Sequence, residues 1–90
     1  MNICVVSSFE GNAKDFLSMF HEIFDEEMDS VMSAYDTAVV SEKDGFCKII
    51  TIANIIDEKR FNELMSSPKM VGWDKKHKNT DEIYALESIN

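Results

Sequence analysis

The sequence has few of the residues that break or cross-link a chain: three glycines, one proline and two cysteines in 90 residues. With 44% apolar and 29% charged residues, its composition is that of a globular protein and not of a disordered or repetitive chain. A chain of this length can build one hydrophobic core but not two. We therefore expect a single domain over residues 1–90.

The short motifs of the large enzyme classes are also missing. The chain has no phosphate-binding glycine loop, no Cys-x-x-Cys, no His-Glu-x-x-His and no Gly-x-Ser-x-Gly. Cys4 and Cys47 lie far apart in apolar, strand-like segments, which is typical of small core residues rather than of a disulfide or a metal site. We predict no metal and no cofactor, so any site must be assembled from single residues in the folded chain.

Long apolar runs and an amino-terminal signal are absent from the sequence as well. Residues 1–9 have no positively charged region and too short an apolar stretch for a signal peptide. No later run approaches the roughly 18 apolar residues that span a bilayer. This pattern predicts a cytoplasmic protein that does not enter a membrane.

Positive charge is scarce, since nine Lys and Arg face 17 Asp and Glu for a net charge of −8. The first 45 residues hold ten of the acids against Lys14 and Lys43, whereas the second half is balanced. Such a field repels phosphate backbones, and nucleic-acid binding depends largely on lysines and arginines. Nucleic acids and anionic membranes are therefore not expected as partners.

The first two elements are predicted from apolar spacing. Residues 2–9 are apolar on both alternating sets, as in a strand that is covered on both faces. Asn12 is a good helix N-cap, and apolar residues then recur at spacings of three and four up to Phe24. Because acidic residues crowd the end of this helix and oppose its dipole, we predict that it ends near Met28.

The remaining segments predict a hairpin, two helical segments and a last strand. Residues 32–42 and 46–55 are strand-like and are joined by Lys43 and an Asp44-Gly45 pair, a specific hairpin signal. Asp57 can cap a second helix that Pro68 ends. Ser67 as N-cap, with Pro68 at the first helical position, predicts a short further helical segment through residue 73. Residues 81–89 alternate as a strand.

The predicted order is therefore βαββαβ, a ferredoxin-like α+β fold with both helices on one face of a four-stranded antiparallel sheet. The third strand, however, carries apolar side chains on both faces. Leaving one set in water would forfeit roughly 1.5–3 kcal/mol for each large side chain. We infer that a second copy of the chain covers this open face. The two sets are Cys47, Ile49 and Ala53 on one face and Phe46, Ile50 and Ile52 on the other.

In this order of elements, in its length of about 90 residues and in its two-faced strands, the chain resembles the dimeric α+β barrel superfamily. The Phe61-x-x-Leu64-Met65-Ser66-Ser67-Pro68 helix end and the closing Tyr84-x-Leu86 strand also fit that pattern. The superfamily includes proteins similar to antibiotic-biosynthesis monooxygenases and to muconolactone isomerases, and many members have no known activity. The resemblance implies a homodimer and an apolar pocket.

Trp73 and His77 are the best candidates for ligand contacts, since they lie four residues apart in a segment that would cover one end of the sheet. Haem-degrading members of the superfamily use an Asn, a Trp and a His, so the residue types agree, although the spacing here is shorter. The alternatives are that Trp73 anchors a loop to the core and that the nearby lysines (75, 76 and 78) are solvated. These lysines could also meet the acidic end of the first helix.

His21 and Tyr35 are the other candidate ligand-binding residues. His21 and Asp25 are four residues apart on the first helix, a spacing that suits either a boundary ion pair or two ligands of a divalent metal. Tyr35 would present a polar tip to any pocket between helices and sheet, and ordinary packing explains it equally well.

Two classes of function remain open. The chain is either a non-catalytic module that binds a protein partner or a small apolar molecule, or a cofactor-independent enzyme similar to monooxygenases or isomerases. An enzyme would need a base or acid beside its substrate, and only His21 and His77 have an ordinary pKa that suits this role. The two classes differ in whether a ligand-sized apolar cavity exists beside a histidine.

Overall fold

The computed structural model describes residues 1–89. Its elements, in chain order, are β1 (Ile3–Glu10), α1 (Ala13–Phe24), α2 (Met28–Val31), β2 (Met32–Lys43), β3 (Phe46–Ile55), α3 (Glu58–Met65), α4 (Pro68–His77) and β4 (Thr80–Ala85). The four strands form one antiparallel sheet in the order β2-β3-β1-β4, which confirms the predicted ferredoxin-like α+β fold. None of the helices in this part of the chain is long and apolar enough to cross a membrane.

Helix α1 begins as predicted but ends earlier. The Asn12 side chain accepts a hydrogen bond from the backbone N–H three residues on, at 2.8 Å. The helix stops at Phe24, four residues before the predicted end at Met28, because Asp25 adopts a φ of 45° and starts a short 3₁₀ turn. Negative charge at a helix carboxyl end opposes the dipole, so the acidic residues here do not favour a longer helix.

The predicted hairpin joins β2 to β3. Asp44 and Gly45 have φ angles of 55° and 81°, and two consecutive positive angles are what a tight two-residue turn of the primed type requires. Lys43 pairs directly with Phe46 across the turn. Strand β2 is therefore one residue longer than predicted.

Both later helices have the predicted caps. The Asp57 and Ser67 side chains each accept a hydrogen bond from a backbone N–H three residues on, at 3.0 and 3.3 Å, and Pro68 occupies the first turn of α4. Helix α4 continues to His77, beyond the predicted end at residue 73. Gly72 does not interrupt it, since the exposed position needs no side-chain contact.

Strand β4 is shorter than predicted, since it ends at Ala85 rather than at Ile89. Its neighbour is β1, whose first residue Ile3 pairs with Ala85. One further hydrogen bond joins the Leu86 N–H to the Asn2 carbonyl oxygen at 2.9 Å. Because β1 begins at Ile3, the strand pairing ends here and the alternating pattern of residues 86–89 does not become strand.

The hydrophobic core lies between the helices and one face of the sheet. Its aromatic rings contact one another in a chain, with ring centroids 5.0 Å apart for Phe20 and Phe24 and 6.0 Å apart for Phe24 and Phe61. The buried apolar side chains are Val5, Phe9, Phe16, Met19, Phe20, Ile23, Phe24, Val31, Met32, Cys47, Ile49, Ala53, Phe61, Leu64 and Met70.

The opposite face of the sheet, here called the open face, carries several large apolar side chains and is uncovered in the single chain. Exposed fractions reach 58% for Phe46, 37% for Ile52 and 49% for Tyr84. Cys4 also lies on this face, paired with Ile52 and Tyr84, whereas Cys47 is buried in the core. The expectation that both cysteines are core residues is thus met by Cys47 only, because strand alternation places the two thiols on opposite faces.

Arg60 connects α3 to the turn after α1 through an ion pair with Glu27. The Arg60 guanidinium donates two hydrogen bonds to the Glu27 carboxylate, at 2.6 and 2.7 Å, and one to Glu63 at 3.0 Å. This bidentate contact lowers the pKa of Glu27 from its ordinary value. Because all three side chains are partly exposed, the pair orients the turn and adds little stability.

Candidate functional site

The space between the helices and the sheet is the natural place for a ligand in this fold, and here it is nearly filled. A cavity of about 30 Å³ remains there. Pockets that hold small molecules usually measure about 300–1,000 Å³, whereas 30 Å³ accommodates little more than a water molecule. Its lining is mostly aromatic and methionine side chains, among them Phe16, Phe20, Phe24, Phe61, Met19 and Met70.

The polar groups of this cavity were not singled out from the sequence. Ser7 is buried and its hydroxyl donates a hydrogen bond to Asp81 Oδ1 at 2.7 Å. Thr51, only 6% exposed, also lines the cavity, and its Oγ1 atom has no hydrogen-bond partner among the described residues. Both residues occupy inward positions of otherwise apolar strands, so strict alternation along β1 and β3 would have indicated them.

A carboxylate pair lies at the junction of α4 and β4. The Asn79 side-chain NH₂ group donates to Asp74 Oδ1 at 2.9 Å and to Asp81 Oδ1 at 3.0 Å. Burial is the main cause that raises the pKa of Asp74, and the charge of Asp81 raises it further, while the hydrogen bond from Asn79 opposes the shift. The arrangement holds the two carboxylates beside the rim of the cavity.

Trp73 and His77 lie together, as their spacing predicts, but outside the cavity. Their rings stack with centroids 4.4 Å apart, and Trp73 contacts Phe9 edge-on at 5.1 Å. His77 Nδ1 lies 2.8 Å from the Glu10 carbonyl oxygen. Because a carbonyl oxygen only accepts, Nδ1 carries the hydrogen and donates it. The pair therefore anchors α4 to the end of β1.

His21 and Tyr35 lie elsewhere, against the opposite side of the aromatic core. Each contacts Phe20, with ring centroids 6.0 and 5.5 Å away. His21 is exposed and forms no ion pair with Asp25 within the described chain. The structure thus brings together Trp73 with His77, and His21 with Tyr35 around Phe20, but does not join the two pairs.

The ion pairs near the acidic end of α1 differ from the predicted ones. Lys78 pairs with Glu10 at 3.3 Å and not with the acidic end of α1. That end, residues 25–29, is met instead by Arg60 through Glu27, while the Lys69 ammonium group lies 2.6 Å from Glu22 one turn earlier. Between residues 1 and 89, no group of three or more His, Cys, Asp or Glu side chains could hold a metal ion.

A close approach at Gly11 makes the Trp73–His77 anchor testable. Gly11 has a φ of 149°, and a Cβ atom there would lie 3.2 Å from His77 Nδ1 and 3.4 Å from the Phe9 ring. We expect Gly11→Ala to lower the free energy of unfolding by about 1–3 kcal/mol, because it combines backbone strain with displacement of the histidine. Urea denaturation measures this difference.

Gly72 provides the matched control. It lies inside α4 with no atom within 4 Å of the position of a Cβ, so Gly72→Ala should raise the free energy of unfolding by about 0.5–1 kcal/mol. Opposite signs for the two substitutions are the expected result. Equal stabilisation by both would show that His77 does not need the space above Gly11.

Comparison with known proteins rests on structure. The sequence matches no family model, and it has no significant match among curated protein sequences. A crystal structure of an antibiotic biosynthesis monooxygenase is similar to it, with a TM-score of 0.56, 14% identity, and 98% of this chain and 99% of the other covered. The likeness at this identity concerns the fold.

Two further solved structures have a similar fold. A variant of SnoaB, a cofactor-independent oxygenase from Streptomyces nogalater, gives a TM-score of 0.54 with 12% identity over 99% of this chain and 94% of the other. A dimeric ferredoxin-like protein from an uncultured marine organism gives 0.59 with 9% identity over 100% and 96%. The chain therefore has the ferredoxin-like fold found in proteins similar to antibiotic-biosynthesis monooxygenases.

Proposed function

We propose that this chain is a non-catalytic interaction module that works as a homodimer joined through the open face of its sheet. The observation that carries the proposal is the filled interior. The cavity between helices and sheet measures about 30 Å³, and neither His21 nor His77 lines it. A cofactor-independent enzyme needs space for its substrate and a base or acid within hydrogen-bond reach of it.

Exposed apolar side chains on the open face support the proposed dimer. Ile50 and Ile52 follow one another along β3 on the side that no helix covers, and Cys4 and Tyr84 lie beside them. Phe46 lies on the same side at the hairpin end, beyond Lys48. An apolar surface of this kind on a small domain is typical of a protein–protein interface. A second copy fits because its identical apolar face is self-complementary under two-fold symmetry. The similar marine protein is itself described as dimeric.

Sedimentation velocity over a range of protein concentrations tests the assembly. We expect a dimer that dissociates only on strong dilution, because burying the large apolar side chains of two sheets stabilises the pair. A monomer at all concentrations would contradict the proposal.

One observation favours a second candidate function, the binding of a small apolar molecule without turnover. Thr51 Oγ1 is buried without a hydrogen-bond partner among the described residues, and such an atom costs about 1–3 kcal/mol unless a ligand or a water satisfies it. Met19, Met32, Met65 and Met70 line the same cavity, and flexible methionines can move to enlarge it.

Methionine-methyl NMR separates the two candidates, with n-butanol as a probe that has one hydroxyl group and a short apolar chain. The interaction module predicts that the methyl signals of the four cavity methionines do not move when butanol is added. Met28, which does not line the cavity, is the internal reference. Selective movement of the cavity methyls would favour the ligand-binding function.

A further inference from the structure

A second and larger concave site lies at the hairpin end of the sheet. This cleft measures about 380 Å³ and is bounded by the end of β1, the β2–β3 hairpin and the start of β4. It does not share a lining residue with the cavity under the helices. Its lining consists of three lysines, three hydroxyl residues, one carboxylate and three apolar residues: Lys43, Lys48, Lys78, Ser8, Ser41, Thr80, Glu10, Phe9, Phe46 and Cys47.

The charge of this cleft is opposite to that of the chain. The protein has only nine basic residues and a net charge of −8, yet three of its lysines meet here with a single carboxylate. That carboxylate, Glu10, already lies 3.3 Å from the Lys78 ammonium group. Lys43 and Lys48 form no ion pair with any carboxylate of residues 1–89. Two positive charges are therefore left unpaired in the cleft.

The nearest carboxylate of the hairpin does not compensate them. Glu42 is not part of the cleft lining, and one of its carboxylate oxygens lies 3.4 Å from the backbone N–H of Ala13, at the start of α1. Its charge also contributes, after burial, to the raised pKa of the Cys47 thiol on the helix side of the sheet. Glu42 thus acts on the side of the sheet that faces the helices.

The polar groups of the cleft form a row across all four strands. Ser41 on β2 pairs with Lys48 on β3, Lys48 pairs with Ser8 on β1, and Ser8 pairs with Thr80 on β4. Neighbouring strands lie about 4.8 Å apart, so the three hydroxyls and the ammonium group project from one line on the open face. Ser8, Ser41 and Lys48 can each donate a hydrogen bond to an anionic oxygen, whereas the Thr80 hydroxyl donates to the Ser8 carbonyl oxygen at 3.5 Å.

We propose that this cleft binds a phosphate monoester with a small apolar group. At neutral pH such a phosphate carries about 1.5 to 2 negative charges, which balance the unpaired Lys43 and Lys48, and its oxygens can accept hydrogen bonds from Lys48 and from a neighbouring serine hydroxyl on β1 or β2. The exposed ring of Phe46 contacts the apolar group. This site goes beyond the interaction module proposed above. It lies at the hairpin end of the same open face, so it requires that a second copy packed over Ile50 and Ile52 leaves that end uncovered.

The probe is phenyl phosphate, added to the ¹⁵N-labelled protein and followed by amide chemical shifts. We expect the amides of Ser8, Lys48 and Thr80 to move together and saturably. Lys48→Gln should weaken binding about tenfold, because it removes one charge-assisted hydrogen bond at the centre of the row. Binding should also weaken with salt, since the unpaired lysines are exposed.

Lys59→Gln is the matched control, since Lys59 is an exposed lysine on α3 at the opposite end of the sheet. It removes the same charge and should leave the affinity unchanged. Equal weakening by Lys48→Gln and Lys59→Gln would show only a general effect of net charge and would overturn the proposal. Benzoate and benzyl alcohol distinguish the chemistry: binding of either as tightly as phenyl phosphate would also overturn it, as would the absence of saturable shifts.

Discussion

Replacing Ile52 by Asp should convert the proposed dimer into a monomer or unfold the chain. Ile52 lies in the middle of the open face, between Cys4 on β1 and Asp36 on β2. A carboxylate buried there between two sheets would lie without a positive partner and directly beside the Asp36 carboxylate. Burial of such an unpaired charge costs several kcal/mol, which exceeds what one interface side chain contributes. Sedimentation velocity and circular dichroism separate dissociation from unfolding.

The control for this substitution is Val71→Asp. Val71 is 50% exposed on α4, so it resembles Ile52 in character and exposure but lies on a helix and not on the sheet. We expect the Val71 variant to remain a dimer of nearly unchanged stability. Ile50→Asp should behave like Ile52→Asp, since Ile50 is the next residue along the same face of β3. A folded dimer of both sheet variants would contradict the face-to-face assembly.

Phe24→Ala should lower the free energy of unfolding by about 3–5 kcal/mol, the usual cost of truncating a phenylalanine inside a core. Phe24 is 1% exposed, and its ring packs against Phe20 and Phe61 at the meeting point of α1 and α3. Because stability is only about 0.05–0.15 kcal/mol per residue in ordinary domains, a loss of this size threatens folding at ambient temperature. Urea denaturation at a fixed protomer concentration measures it.

Leu17→Ala on the same helix gives the comparison. Leu17 is 39% exposed, so its truncation removes little buried surface and should cost clearly less than the Phe24 substitution. If the Phe24 variant is too unstable to purify, Phe24→Leu retains most of the volume and should give a smaller, measurable loss. A cost for Phe24→Leu no larger than that for Leu17→Ala would show that the centre of the core can repack freely.

Local chemistry accounts for the elements that were predicted with correct starting points. Asn12, Asp57 and Ser67 each cap a helix through a side-chain oxygen and a backbone N–H three residues on, a contact that depends only on neighbouring residues. Asp44-Gly45 permits the positive φ angles of the hairpin for the same reason. Such signals can be recognised in a single sequence because their partners are close along the chain.

The ends of elements were less predictable, since they depend on distant neighbours. The alternating pattern of β4 continues to Ile89, but pairing stops at Ala85 because β1 begins at Ile3. Helix α4 continues past Gly72 to His77, where the stacking on Trp73 and the contact of Nδ1 with the Glu10 carbonyl hold it against β1. Neither limit can be inferred from the residues that lie next to it in sequence.

The amino-acid sequence alone was sufficient for the order of elements and for the two apolar faces of the sheet, because periodicity and capping are local properties of the chain. Only the tertiary structure showed that the helix–sheet interior is filled, that Trp73 packs against the core while neither Trp73 nor His77 lines the remaining cavity, and that Lys48 joins Ser8, Ser41 and Thr80 in one row. Cavity volume and cross-strand neighbours arise from packing and register between distant segments, and these depend on the fold as a whole.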